Sequence, residues 1–140
     1  MSRPFETTVV VQSESPPISA VDARRLLRAL ARRLLVPHES VAVVFADDRT
    51  LRELNSRYRG RNRPTDVLSF PTDEEDHLGD IVVSSETTRR QGRRSGHGAA
   101  REARILLIHG FLHLLGYDHE ADDGEMETLE RTLRREMIRR

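Results

Sequence analysis

Apolar positions along this chain follow two rhythms, a helical one and an alternating one. Residues 5–11, FETTVVV, are rich in β-branched side chains and predict a strand. Ser15-Pro16-Pro17 breaks the chain, and Ser19 with Asp22 makes a shortened capping box. Ala20, Ala23, Leu26, Leu27, Leu30 and Leu34 then recur at helical spacing until Pro37 stops them. Val41 to Phe45 is a short apolar run bounded by turn-formers, the mark of a buried strand. Asp47 or Asp48 caps a second helix, with Leu51, Leu54 and Tyr58 on one face.

Residues 60–65 predict a loop, Val67 to Phe70 a third strand closed by Pro71, and Ile81 to Ser84 a fourth. The acidic run Asp73–Asp76 reads as a solvated turn. The polar, glycine-punctuated stretch 86–98 fits either a short helix or a loop. Ala99 to Leu115 predicts a long central helix, because Ile105 to Ile108 makes it apolar on most sides, and Gly116 ends it. A last helix runs from about Asp122 to Met137, with Met126, Leu129, Leu133 and Met137 on one stripe. Acids crowd its start and arginines its end, as the helix dipole favours. The expected class is α/β or α+β: a single domain over residues 1–140, with about four strands and four to five helices.

Composition narrows the function classes. There is no cysteine, which excludes disulfides and thiolate metal sites. No apolar run approaches the roughly 20 residues that span a bilayer. The first residues lack the charged, apolar and small-residue order of a secretory signal, so a cytoplasmic location is expected. The net charge of zero conceals segregation. Arg49, Arg52, Arg57, Arg59, Arg61 and Arg63 stand against Glu53 alone, and Arg89, Arg90, Arg93, Arg94, Arg101 and Arg104 against Glu102 alone, while 72–86 and 118–130 carry acids and no base. All 23 cations are arginine, a planar fork suited to phosphate.

The chemistry concentrates in residues 109–119, HGFLHLLGYDH. His109 and His113 are four apart on a helix and project from the same face. Gly116 reverses the chain, and His119 returns to the same point in space. Three imidazoles with an open fourth position form the catalytic arrangement of zinc. A lone histidine on an apolar helix is ordinarily a satisfied core residue. Three of six histidines within 11 residues is a much narrower coincidence. Burying two such rings unpaired would cost about 1–3 kcal/mol each. Asp118 has two readings: it orients a histidine, or it caps a turn. It is also the side chain that would close a structural site as a fourth ligand. The spacing matches the metzincin proteases, but their general-base glutamate is replaced by Gly110, which argues against peptide hydrolysis.

HGFLHLLGYDH resembles the signature of the YbeY family, bacterial metal-dependent endoribonucleases of rRNA maturation and ribosome quality control. Asn55, Tyr58-Arg59 and Pro64 to Pro71 resemble the family's second motif, and Leu78 to Ser84 its third. The tail with Met126 and Glu130 also fits. The resemblance covers about residues 40–135. It implies one zinc ion held by His109, His113 and His119, a catalytic or substrate-handling role for Arg59, and an α+β fold with a metal cleft beside the sheet. It also implies action on single-stranded RNA near the 3′ end of small-subunit rRNA.

The remaining candidates are weaker. Arg57, Arg61 and Arg63 are expected to track an RNA backbone, with solvated loop charges as the plain alternative. Arg89, Arg90, Arg93 and Arg94 form a second basic cluster. Aromatic residues are few and read as core, so recognition by base stacking is not expected. Asp66 and Asp80 are expected to hold loop backbone through buried hydrogen bonds, with metal contact as the alternative. His97 is expected in a loop, and His38 and His77 carry no assigned role. Neither membrane nor DNA is expected as a partner. The competing readings are a ribosome-assembly binding module with a structural zinc and a metal-dependent hydrolase of small substrates.

Overall fold

The computed structural model describes residues 5–13, 15–60 and 65–138. The element order is β1 (Glu6–Val11), α1 (Ala20–Arg33), β2 (Ser40–Ala46), α2 (Asp48–Arg59), β3 (Val67–Pro71), β4 (His77–Ser84), α3 (Ser85–Ser95), α4 (Ala99–Leu114) and α5 (Glu125–Met137). The strands form one sheet of order β1-β2-β4-β3. The β1–β2 and β2–β4 pairs are parallel, and β3 runs antiparallel to β4 at the sheet edge. The class is α+β, as the family resemblance implies, and the sheet is mixed.

Alternation along the strands divides the core in two. Val41, Val43 and Phe45 of β2 and Ile81 and Val83 of β4 meet α1, α4 and α5 on one face. Val44 and Ala46, with Val82 and Leu68, meet Leu51 and Leu54 of α2 on the other. Helix starts follow their caps. The Ser19 hydroxyl accepts from Asp22 N at 3.1 Å, and the Asp47 carboxylate accepts from Thr50 N at 2.8 Å.

Two boundaries differ from the sequence reading, and one open choice is resolved. β4 starts at His77, earlier than its apolar run, because pairing with β2 and β3 on both sides carries Gly79 and Asp80 into the ladder. The open stretch after Ser84 is a helix, α3, whose Ser84 cap accepts from Thr87 N at 3.1 Å. α5 begins at Glu125, since Asp122 caps it from outside by accepting from Gly124 N and Met126 N at 2.8 and 3.0 Å.

Two side-chain placements also differ. Tyr58 is 61% exposed and sets its ring edge-on against Phe70, at 5.4 Å between centroids. Asp66 does bind local backbone, accepting from Val67 N at 2.8 Å. Asp80 does not: half exposed, it pairs with His77 Nε2 at 2.9 Å, because the β4 pleat turns it outward.

Candidate metal centre

α4 lies against β3 and β4 at very short range. A Cβ at Gly110 would come within 2.8 Å of Ile81 Cγ2, 3.2 Å of Ser69 Oγ and 3.3 Å of Val67 Cγ2. The Ser69 hydroxyl donates to Gly110 O at 2.8 Å. Glycine therefore stands after His109 because the sheet fills the space where a side chain would go. A glutamate there, as in the metzincin pattern, has no room.

His109 and His113 emerge at the margin of this contact, one turn apart, both half-buried. Their Nε2 atoms are 3.0 Å apart and their rings meet edge to face. Gly116, at φ 97°, takes the left-handed conformation that ends the helix. The returning chain stacks His119 on His109, at 5.6 Å between ring centroids.

Glu130 of α5 closes the group from beneath. Its side chain is only 6% exposed, and Oε1 lies 3.2 Å from His109 Nδ1 and 2.5 Å from His119 Nε2. Arg134 Nη2 approaches Oε2 at 3.4 Å. Burial pushes the Glu130 carboxyl up, but hydrogen bonds and charge from His109 and His119 outweigh it, and the carboxyl sits below its usual range. Burial, followed by repulsion from His109, lowers the His113 pKa and favours neutral imidazole.

These contacts test the donor set against a metal ion. The bond to Glu130 assigns the His109 proton to Nδ1 and leaves the Nε2 lone pair facing His113, the usual polarity of a ligating histidine backed by a carboxylate. Two ring nitrogens at 3.0 Å require a shared proton or a cation between them. Donor atoms of His109, His119 and Glu130 lie within 4.8 Å of one another, with His113 joined through His109. Imidazole and carboxylate donors so grouped fit a divalent cation.

The cluster opens on a cleft of about 510 Å³ lined also by Arg59, Val67, Ser69, Tyr117 and Asp118. Over residues 12–138 the chain matches the family described as Endoribonuclease YbeY. It belongs to the YbeY family. Proteins of that name from Nautilia profundicola and Wolinella succinogenes are 43% and 44% identical to it, over 69% and 77% of this chain and 70% and 77% of theirs. The solution structure of TM1509 from Thermotoga maritima superposes with a TM-score of 0.65 at 29% identity, covering 94% of this chain and 89% of that one.

Within this YbeY fold the residues singled out from sequence fall into three groups. His109, His113, His119 and Arg59 share the cleft. Asp118 lines it too, but its carboxylate accepts from Glu120 N at 3.0 Å, the turn-capping geometry, and reaches His113 only through its charge. Arg57 is an exposed residue of the last turn of α2, and Arg61 and Arg63 lie outside the described residues. The carboxylate set against the histidines is that of Glu130, to which sequence reasoning gave no role. Its signal was present: an acid four residues after Met126 and three before Leu133, on the buried stripe of α5. Among the described residues no helix is long and apolar enough to cross a membrane.

Proposed function

We propose that this chain is a zinc-dependent endoribonuclease that cuts single-stranded RNA, acting in the cytoplasm at the 3′ end of small-subunit rRNA during ribosome maturation. The observation that carries the reading is the convergence of His109, His113 and His119 in a cleft that Arg59 also lines, backed by the buried Glu130.

His109, His113 and His119 would hold one ion, with Glu130 fixing the His109 and His119 rings through hydrogen bonds. When bound, such an ion polarises a phosphoryl oxygen and lowers the pKa of a nearby water to about 7. The protein's own part is positioning. Arg59 presents a guanidinium to the scissile phosphate and balances the charge that grows as an attacking oxygen, from water or the ribose 2′-hydroxyl, approaches phosphorus. The cleft's openness suits a flexible strand. Arg57, Arg61 and Arg63, which flank Arg59 in the sequence, are proposed as contacts to the RNA backbone. Asp118 shapes the turn that delivers His119.

The rival reading, a ribosome-assembly module with structural zinc, draws on Glu130, whose carboxylate supplies a fourth donor and so a closed site. Incubating the purified protein with RNA spanning a small-subunit 3′ end separates the two. The enzyme reading expects cleavage of the unpaired segment, loss on chelation with the fold intact, and recovery on adding zinc. Unfolding on chelation without any prior cleavage supports the module instead.

A further inference from the structure

We propose that the outward face of α1 is a docking groove for the phosphate backbone of folded, double-stranded RNA, separate from the cleft that holds the histidines. The inference rests on the RNA-directed reading above and concerns how such a substrate is held.

The groove, about 430 Å³, is lined by Val21, Arg24, Arg25, Arg28, Ala29 and Arg32. These positions recur every three or four residues, so the four guanidinium groups lie along one helix face. Two are anchored. Arg24 Nε donates to Thr7 O and Arg28 Nε donates to Phe5 O, each at 3.3 Å. Each anchored fork keeps four further N–H donors for a ligand while its long stem is already ordered. The groove is also under-neutralised. Asp22, the acid of this helix, lies 3.4 Å from Arg104 on α4 and 3.9 Å from Arg25. Among the described residues no carboxylate comes within ion-pair distance of Arg24, Arg28 or Arg32.

The lining chooses the occupant. A protein partner needs an apolar, aromatic-rich anchor at the centre of its interface, and Val21 and Ala29 are the only apolar lining here. The groove is lined by no aromatic side chain on which an unpaired base could stack. A row of arginine forks offers N–H donors to successive phosphates, which is how a duplex is positioned without reading its bases. The location agrees. α1 packs beside β1, while the histidine cleft borders β3, the opposite edge of a sheet ordered β1-β2-β4-β3. Three strand spacings of about 4.8 Å put roughly 14 Å between the two edges. The groove therefore meets a part of the RNA that the cleft does not, namely a folded segment beside the strand being cut.

The test replaces Arg25 and Arg32 with Gln and leaves Arg24 and Arg28, which fasten α1 to β1. Fluorescence anisotropy over a salt series compares an RNA hairpin carrying a single-stranded 3′ tail with the tail alone. The expected result is a loss of about tenfold or more in hairpin affinity and a salt slope shallower by about 2. Binding and cleavage of the tail alone should stay unchanged. Unchanged hairpin affinity and slope would overturn the proposal, as would an equal loss for hairpin and tail. Wild-type protein that cuts the tail but binds the hairpin no tighter overturns the groove and leaves the cleft reading standing. Wild-type protein that binds the hairpin through these arginines but cuts nothing supports the groove and removes the cleavage reading.

Discussion

Glu130 on α5 holds Nδ1 of His109 on α4 at 3.2 Å, and the same oxygen holds His119. One buried carboxylate thus sets the orientation of two rings, one on α4 and one in the segment that joins α4 to α5. Glu130→Gln keeps the shape and removes the charge. Metal affinity should fall about 10–100-fold with the fold intact, the usual cost of losing a carboxylate behind a ligating histidine. Zinc titration with a competing chelator reads this directly, and unchanged affinity would show that the carboxylate does not support the rings.

Arg59 lines the cleft from the last turn of α2, and nothing in the metal cluster depends on it. Arg59→Ala should bind metal like the wild type yet lower kcat for RNA cleavage by about 10²–10³-fold, the range for removing one group that stabilises transition-state charge. Single-turnover kinetics beside metal analysis would check it. Full turnover in the variant would remove Arg59 from the mechanism.

Gly110 sits where any Cβ meets Ile81, Ser69 and Val67 at 2.8, 3.2 and 3.3 Å. Gly110→Ala should therefore destabilise the fold by about 1–3 kcal/mol through overpacking. It should also weaken metal binding, because α4 must shift where His109 is mounted. Urea unfolding gives the first number and zinc titration the second. A stabilised variant, as for an ordinary exposed helical glycine, would contradict the close contact.

Asp48 gives a pH dependence remote from the metal. Its carboxylate accepts from Ser84 Oγ, Thr87 Oγ1 and Arg90 Nη2 at 2.5, 2.6 and 2.8 Å, tying α2 to α3. Burial raises its pKa, but these hydrogen bonds lower it further, so the folded value lies below the unfolded one. The unfolded chain then binds more protons, and the contribution is complete above the unfolded pKa of about 3.9 and disappears as pH falls through the folded value. Asp48→Asn should cost about 1.5–3 kcal/mol at neutral pH and flatten the dependence of stability on pH below about 4. Urea midpoints between pH 3 and 6 measure both. Parallel curves for the two proteins would contradict the assignment.

Local chemistry made much of this legible in the sequence. Ser19 and Asp47 announced α1 and α2 because an N-cap is a contact within four residues. The i, i+4 histidines and Gly116 announced the cleft for the same reason. What escaped depends on distant chain. His77, Gly79 and Asp80 are poor strand formers, held in β4 by ladders to β2 and β3. α3 stayed open between helix and loop, since its arginine and polar residues carry little apolar signal, and it is fastened by Ser84 and Asp48. Glu130 meets His109 across 21 residues and His119 across 11, so no periodicity within one element could pair them. Its one local sign was a charge on an apolar stripe.

Zinc titration of the metal-free protein, run in parallel on His113→Ala, tests the central claim most directly. The wild type should take up one equivalent and gain RNA cleavage in proportion, while the variant stays folded, binds far more weakly and cuts nothing. A wild-type protein that takes up no ion, or a metal-free variant that cleaves RNA at the full rate, would contradict the account.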